Sequence, residues 1–457
     1  MSVYAVTNPT TGIVEATYPT ATDADIASAL NRSDTAFGTW HTSEITERAA
    51  LLNRVADLYQ EHRDELAGII TREMGKPIVQ SGKEIDITVS IYRYYAANGE
   101  KFLADEELEV ASGGTALVRK EGVGVLLGIM PWNFPYYQVA RFAAPNLMNG
   151  NTILLKHAPQ CPESALAMEA IFTDAGAPDG AYVNIFATND QAAEIIADPR
   201  IQGVSLTGSE RAGSAVAEVA GRNLKKVVLE LGGSDPFLVL DNANIKRAAK
   251  QAMFGRFSNT GQACNAAKRI IIDEAVYDEF VDSFTGAVAG IKVGDPAAPE
   301  TFMGPLSSAA AREGLAAQVK DAIDKGATVL AGGTALEGEG SFFAPTVLAD
   351  VTQDMRAYSE ELFGPVAVLY KVSGDEEAVA LANSSAYGLG ASIQSEDMDR
   401  ARDIAEKLEV GMVSINQTSG TAAELPFGGV KRSGVGRELG KYGMEEFVNR
   451  KLVTYRG

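Results

Sequence analysis

Short apolar runs alternate along this chain with stretches whose apolar residues recur every three or four positions. The run 122–130 is apolar, β-rich and halted by Pro131, and 152–156 reads as a short buried strand. Further strands are predicted at 182–186, 204–207, 227–230, 237–240, 269–272, 328–330, 366–370 and 413–416. Between them, 47–71 carries Leu51, Val55, Leu58, Tyr59, Leu66, Ile69 and Ile70 at helical spacing. Helices are also predicted at 136–148, at 162–175 (closed by Gly176), at 191–197 and at Ile245–Phe257. Such alternation argues an α/β fold of parallel βαβ units, in two domains that change over near Glu230-Leu-Gly-Gly233. Residues 332–340 read as a Gly/Glu-rich surface turn, and 426–436 lack periodicity. A lone strand at 447–455 would leave an exposed edge, so it is expected to add to another sheet or another subunit.

Composition narrows the function. The 457 residues are 46% apolar and 22% charged, as in an ordinary globular protein. A net charge of −20 argues against a general nucleic-acid or anionic-membrane surface. No run reaches the roughly 18 apolar residues of a membrane span, and the start shows no signal-peptide pattern. Two cysteines, Cys161 and Cys264, exclude a disulfide scaffold and a four-cysteine zinc site; with three histidines, no metal site is predicted. A reducing, cytoplasmic setting is the default expectation.

Cys264 ends the polar, glycine-containing turn Ser258-Asn-Thr-Gly-Gln-Ala-Cys264, which suits an exposed thiol better than a buried one. Glu230 lies 34 residues upstream at another strand end, and a thiol with a carboxylate base is a nucleophile arrangement. A cysteine hydrolase would need a histidine partner, and the three histidines sit in segments without a catalytic signature.

Met130-Pro-Trp-Asn-Phe-Pro135, Glu230-Leu-Gly-Gly233, Gln262-Ala-Cys264, Glu361-Leu-Phe-Gly-Pro365 and Pro426-Phe-Gly-Gly429 occur in that order across nearly the whole chain. Together they resemble the NAD(P)-dependent aldehyde dehydrogenase superfamily, and Leu155-Lys-His-Ala-Pro159 resembles its shorter succinate-semialdehyde dehydrogenase branch. The resemblance implies a Rossmann-type cofactor domain over 1–230, carrying part of a small oligomerisation element near 105–125. It implies a catalytic domain over 231–425 and a return segment over 426–457. It implies Cys264 as nucleophile, Asn133 as oxyanion donor and Glu230 as the base for hydrolysis. Glu438 matches a carboxylate acting behind these, or is simply a helix N-terminal acid.

For the cofactor, NADP or NAD, the resemblance implies Trp132, Lys156, Gly208, Ser209, Leu231, Glu361 and Phe363. Many NAD-preferring relatives carry a glutamate where this chain has Pro159; its absence predicts that NADP is accepted well, with His157 adding a donor. For the substrate, a short semialdehyde ending in a carboxylate, it implies Arg141, helped by Ser258 and Thr421. Eight residues after Asn133 on the helix 136–148, Arg141 is expected on the same face as Asn133. A homodimer or homotetramer is expected, with no nucleic-acid or membrane partner and no Cys161–Cys264 switch. A broader aldehyde dehydrogenase and a non-catalytic binding protein on the same fold are the alternatives.

Overall fold

The computed structural model describes residues 4–111 and 113–456. Two sheets dominate it. The first has six strands in the order Gly434–Val435, Lys226–Glu230, Ile201–Thr207, Val125–Met130, Thr152–His157 and Tyr182–Asn184. All of its pairings are parallel except that of Gly434–Val435 with Lys226–Glu230. The second has seven, Thr328–Ala331, Thr346–Ala349, Val366–Val372, Ala267–Asp273, Asp235–Val239, Gly390–Gln394 and Met412–Ile415, with an antiparallel pairing only at its first edge. The strands Thr152–His157 and Ala267–Asp273 are buried along their whole length, which is why their middles, 153–155 and 270–272, are unbroken apolar runs.

The terminal strand Val448–Tyr455 finds its partner within the chain. It pairs antiparallel along Thr115–Gly122, which also pairs with Glu106–Leu108, giving a three-stranded sheet. The apolar run expected at 122–130 is divided. Gly122 ends one strand, Gly124 takes φ +142 where a Cβ would run into Gln202, and the next strand starts at Val125. The helix expected at 47–71 is two helices, Ile45–Glu61 and Arg63–Met74, broken at His62 with φ −91 and ψ 15. Apolar spacing continues through the break because both helices pack on one core.

The helix Ile78–Leu103 was not apparent from sequence; it packs against Ile45–Glu61 and against Pro135–Met148. Residues 332–340 are largely exposed, and the stretch 426–436 holds two short strands, Val430–Lys431 and Gly434–Val435.

One consequence of this topology positions the site. Strand Lys226–Glu230 ends in the six-stranded sheet, and after Leu231-Gly-Gly-Ser234 the chain enters Asp235–Val239 of the seven-stranded sheet. The carboxyl edge of one sheet therefore meets the entry edge of the other, where Cys264 precedes Ala267–Asp273. Ligands of open α/β sheets bind at such carboxyl edges.

Candidate active site

The carboxyl edge of the six-stranded sheet collects most of the predicted residues. Register pairs Ile129 with Lys156, Met130 with His157, and Thr207 with Glu230. Just past Met130 the chain makes the turn Pro131-Trp-Asn133 and starts a helix at Pro135, with Phe134 as N-cap and proline at the first helical position. Asn133 thus precedes the helix, so the shared face expected for Asn133 and Arg141 does not exist. Arg141 instead stacks over Tyr137, one turn back, with its guanidinium carbon 4.9 Å from that ring and 4.4 Å from the Phe427 ring.

The cysteine loop is held in an uncommon shape. Asn259, Thr260 and Gly261 all have positive φ, at 52°, 56° and 70°. The asparagine earns its left-handed geometry by bonding: its Nδ2 donates to Asn133 O at 3.0 Å and to Gln262 O at 3.2 Å. Asn133 Nδ2 reaches the same Gln262 carbonyl at 3.1 Å. Asn133 is 5% exposed, and one of its two amide N–H groups is left over by this bond. Lys268 Nζ donates to Cys264 O at 2.7 Å and Ala263 O at 2.9 Å, and pairs with Glu361 Oε1 at 3.1 Å. Buried Arg256 donates to Val366 O, Leu362 O, Gly364 O and Gly261 O, tying the Glu361-to-Pro365 loop to the cysteine loop. Sequence reasoning did not find Arg256, Lys268 or Asn259; Arg256 and Lys268 join the cysteine loop to partners about a hundred residues on, Leu362 to Val366 and Glu361.

Cys264 opens into a cavity of about 610 Å³. Arg141, Ser258 and Thr421 line that cavity too, beside Phe134, Tyr137 and Phe427. Thr421 Oγ1 shares a 2.8 Å hydrogen bond with the Tyr137 hydroxyl. Trp132 lies elsewhere, edge-on to Phe363 at 5.7 Å.

Arg141 is itself buried and committed in part. Its Nε lies 2.7 Å from Glu438 Oε2, and Nη1 donates to the Tyr137 hydroxyl at 3.3 Å, while Nη2 has no hydrogen-bond partner among the described residues. Glu438 also accepts from Ser205 Oγ at 3.3 Å, so it turns inward and does not cap the helix Gly440–Glu445.

Glu230 is 2% exposed and neither carboxylate oxygen has a hydrogen-bond partner among the described residues. Burial, then the neighbouring Glu438 charge, pushes its pKa well above the usual carboxylate range, against the pull of Arg141 and Arg437. Desolvation pushes the Cys264 thiol up to about 12; Arg141 and Lys268 pull it down, and Glu230 and Glu361 push it up. A reluctant thiol within the field of a carboxylate whose proton affinity is raised by burial can hand its proton to it when a substrate is present.

The cofactor residues form a second group on the same edge. Lys156 is 5% exposed and has no carboxylate partner among the described residues; burial lowers its pKa. Ser209 caps the helix Glu210–Arg222, its Oγ accepting from Ala212 N at 3.3 Å, and Gly208 N donates to Glu230 O at 2.9 Å. Leu231 sits where a Cβ on Gly213 would collide, so glycine lets that helix start close to the strand. Glu361 Oε1 accepts from Gly233 N at 3.1 Å. An orphaned buried lysine and a helix N-terminus on the same sheet edge fit an anionic dinucleotide. Pro159 adds no acid there; its carbonyl accepts from Ala5 N at 3.0 Å.

His157 does not supply a donor. It is fully buried, with Nδ1 accepting from Ala158 N at 2.7 Å and Nε2 3.1 Å from Pro135 O, and burial lowers its pKa to about 4. His41 faces Phe37 O and His62 pairs with Glu65, so each histidine is engaged away from the cysteine loop. Cys161 is fully buried at the start of the helix Pro162–Asp174. Among the described residues no cluster of three or more His, Cys, Asp or Glu could hold a metal ion, and no helix is long and apolar enough to cross a membrane.

Comparison with known proteins adds to this geometry. The model of the Aldehyde dehydrogenase family matches residues 2–453. Succinate-semialdehyde dehydrogenase, NADP(+), of Deinococcus radiodurans is 55% identical over 450 residues, covering 98% of this chain and 94% of that protein. Succinate-semialdehyde dehydrogenase, NADP(+), 1 of Mycobacterium tuberculosis is 42% identical over 451 residues, covering 98% and 99%. The crystal structure of succinic semialdehyde dehydrogenase from Streptococcus pyogenes, in complex with NADP+, superposes with a TM-score of 0.97 at 43% identity, covering 99% of this chain and 100% of that one.

Proposed function

The chain belongs to the aldehyde dehydrogenase family, and on that premise we propose that it oxidises succinate semialdehyde to succinate with NADP in preference to NAD. The observation that carries the reading is a single thiol, Cys264, opening into a cavity that also presents Arg141, with the Asn133 amide and the Glu230 carboxyl behind it.

In this reading Glu230 takes the thiol proton and Cys264 attacks the aldehyde carbon, giving a thiohemiacetal. The free N–H of Asn133 Nδ2 and the backbone N–H of Cys264 receive the oxyanion. One such donor is worth about 10²–10³ in rate. Lys156, the N-terminus of the helix Glu210–Arg222, Ser209, Glu361, Phe363 and Trp132 would hold the dinucleotide. When bound, it supplies a two-electron hydride acceptor. Loss of hydride from the adduct leaves a thioester on Cys264. Glu230, once it has released the thiol proton to solvent, takes a proton from water, the hydroxide adds to the thioester carbon, and the acid departs as the Cys264 thiolate is restored.

The carboxylate end of the substrate meets the unpartnered Nη2 of Arg141, with Ser258 and Thr421 as hydroxyl donors. Removing Arg141 alone would strand Glu438 as a buried unpaired charge. The test is therefore Arg141→Gln made together with Glu438→Gln. We expect kcat/KM for succinate semialdehyde to fall about 10²-fold further than that for butanal, the size of a lost buried charge contact. Equal losses on both substrates would return Arg141 to a purely structural role.

The cofactor preference rests on Lys156 without a nearby acid at Pro159. Pro159→Glu introduces a carboxylate that repels a 2′-phosphate and can accept from a ribose hydroxyl. Its expected effect is a shift of the NADP/NAD ratio of specificity constants toward NAD by about 10-fold or more, the scale of a like-charge contact. A wild-type specificity constant higher for NAD than for NADP would refute the preference.

The same reading takes the enzyme to be a cytoplasmic homodimer or homotetramer. Leu452, Tyr455 and Leu108, exposed on the three-stranded sheet, support assembly through that element.

A further inference from the structure

The charges around the Cys264 cavity are almost all spoken for. Lys76 pairs with Glu84, both side chains fully buried, and Glu84 Oε1 accepts from Tyr136 N at 2.9 Å and Tyr137 N at 3.2 Å at the start of the Arg141 helix. Arg141 pairs with Glu438. Glu300, on the cavity wall, pairs with Lys292 at 2.9 Å. Each pair is close to neutral as a unit, so none offers a net charge to an incoming anion.

Lys83 is different. It lies on the helix Ile78–Leu103, on the face that also brings Val79, Gln80, Glu84 and Ile87 to the cavity, at the spacing of successive helical turns. It is exposed, and among the described residues no carboxylate comes within ion-pairing distance of it. It is thus the one uncompensated cation among the cavity-lining described residues, on a chain of net charge −20 whose overall field repels anions.

We propose that Lys83 is a specificity-determining residue at the cavity entrance, drawing in aldehydes that bear a terminal carboxylate and holding them loosely before Arg141 orients them. This rests on the substrate reading above and divides the work within it. Arg141 supplies directed hydrogen bonds from a neutralised pair, and Lys83 supplies the net positive charge. A charge in solvent acts through the local potential and is screened by salt, with a Debye length of about 10 Å at 0.1 M and about 3 Å at 1 M. Because Lys83 is at the rim and not at the reacting carbon, its influence falls on KM and leaves kcat in place.

The experiment measures KM and kcat for succinate semialdehyde and for butanal, at low and high ionic strength, in the wild type and in Lys83→Gln, Lys83→Glu and Lys83→Arg. Lys83→Gln should raise the succinate-semialdehyde KM about threefold to tenfold at low salt, on the scale of one screened charge. Lys83→Glu should raise it further, Lys83→Arg should restore it, and butanal should be unaffected throughout. The wild-type KM for succinate semialdehyde should rise with salt, and Lys83→Gln should flatten that rise. An unchanged KM and salt response in Lys83→Gln, in an enzyme that still prefers succinate semialdehyde, would overturn the role of Lys83 alone. So would an equal KM increase on both substrates. A wild type with no preference for succinate semialdehyde over butanal would overturn the substrate reading itself, before any variant is compared.

Discussion

Replacing Cys264 by alanine should lower kcat for aldehyde oxidation by about 10⁴-fold or more, the scale on which enzymes lose activity when a covalent nucleophile is removed. No second thiol can take over. Cys161 is fully buried, with desolvation raising its pKa well above the ordinary thiol value, and it is packed in the core near Glu73, Lys76 and Glu84. The fold should survive, because Cys264 is partly exposed and its loop is held by other atoms: Lys268 on two carbonyls, Asn259 and Asn133 on Gln262 O, Arg256 on Gly261 O. Dinucleotide binding should survive too, since Lys156, Ser209 and the helix behind it owe nothing to the sulfur. Absorbance at 340 nm measures turnover, and fluorescence titration with NADPH measures binding. Loss of turnover with binding intact is the expected outcome. Substantial residual oxidation by the purified variant would end the covalent mechanism.

What could be read in advance follows from which forces are local. The parallel strands were legible because burial on both faces makes their middles apolar, and the Ile245–Phe257 helix because a polar turn follows it. The helix Ile78–Leu103 was not, since Ile85-Asp-Ile-Thr-Val-Ser-Ile-Tyr-Arg-Tyr-Tyr95 is rich in β-branched and aromatic residues that favour strands on propensity alone. Its packing against two neighbouring helices overrides that preference. The break at His62 leaves no mark on the apolar spacing, because the helices before and after it feed one core.

At the site, motifs pointed to Cys264, Glu230, Asn133, Lys156 and Glu361 one by one. What motifs could not convey was pairing. Arg141 with Glu438, Lys76 with Glu84, and Lys268 with Glu361 join residues from 8 to 297 positions apart. Those pairings decide which charges remain free, and so which residue can meet an anion. The burial of His157 is a fact of the same kind: its place after Lys156 suggested a donor to phosphate, and its contacts with Pro135 O and Ala158 N remove it.

Glu230→Gln is the second large effect, and its pH behaviour separates a chemical role from a structural one. Glutamine keeps the size of the side chain and the packing around it, but cannot take a proton from thiol or water. A positioned general base contributes about 10²–10⁴ in rate, so kcat should fall in that range. If the hydrolytic step suffers more than acylation, a pre-steady-state burst of NADPH should appear and the thioester should accumulate as a mass increase on Cys264. The sign of the pH dependence follows from the raised pKa. The base works only when deprotonated, so wild-type activity should be lost as pH falls through a value above the usual carboxylate range, and that acid limb should vanish in Glu230→Gln. The thiol should move the other way. The Glu230 charge raises the Cys264 pKa, so its removal should lower the pH midpoint for alkylation of Cys264 by iodoacetamide even as turnover collapses. A structural lesion would not slow catalysis while making the nucleophile easier to ionise. If Glu230→Gln keeps wild-type turnover with its acid limb unchanged, the base is another group, and Glu438, with a raised pKa of its own beside Arg141, is the next residue to test.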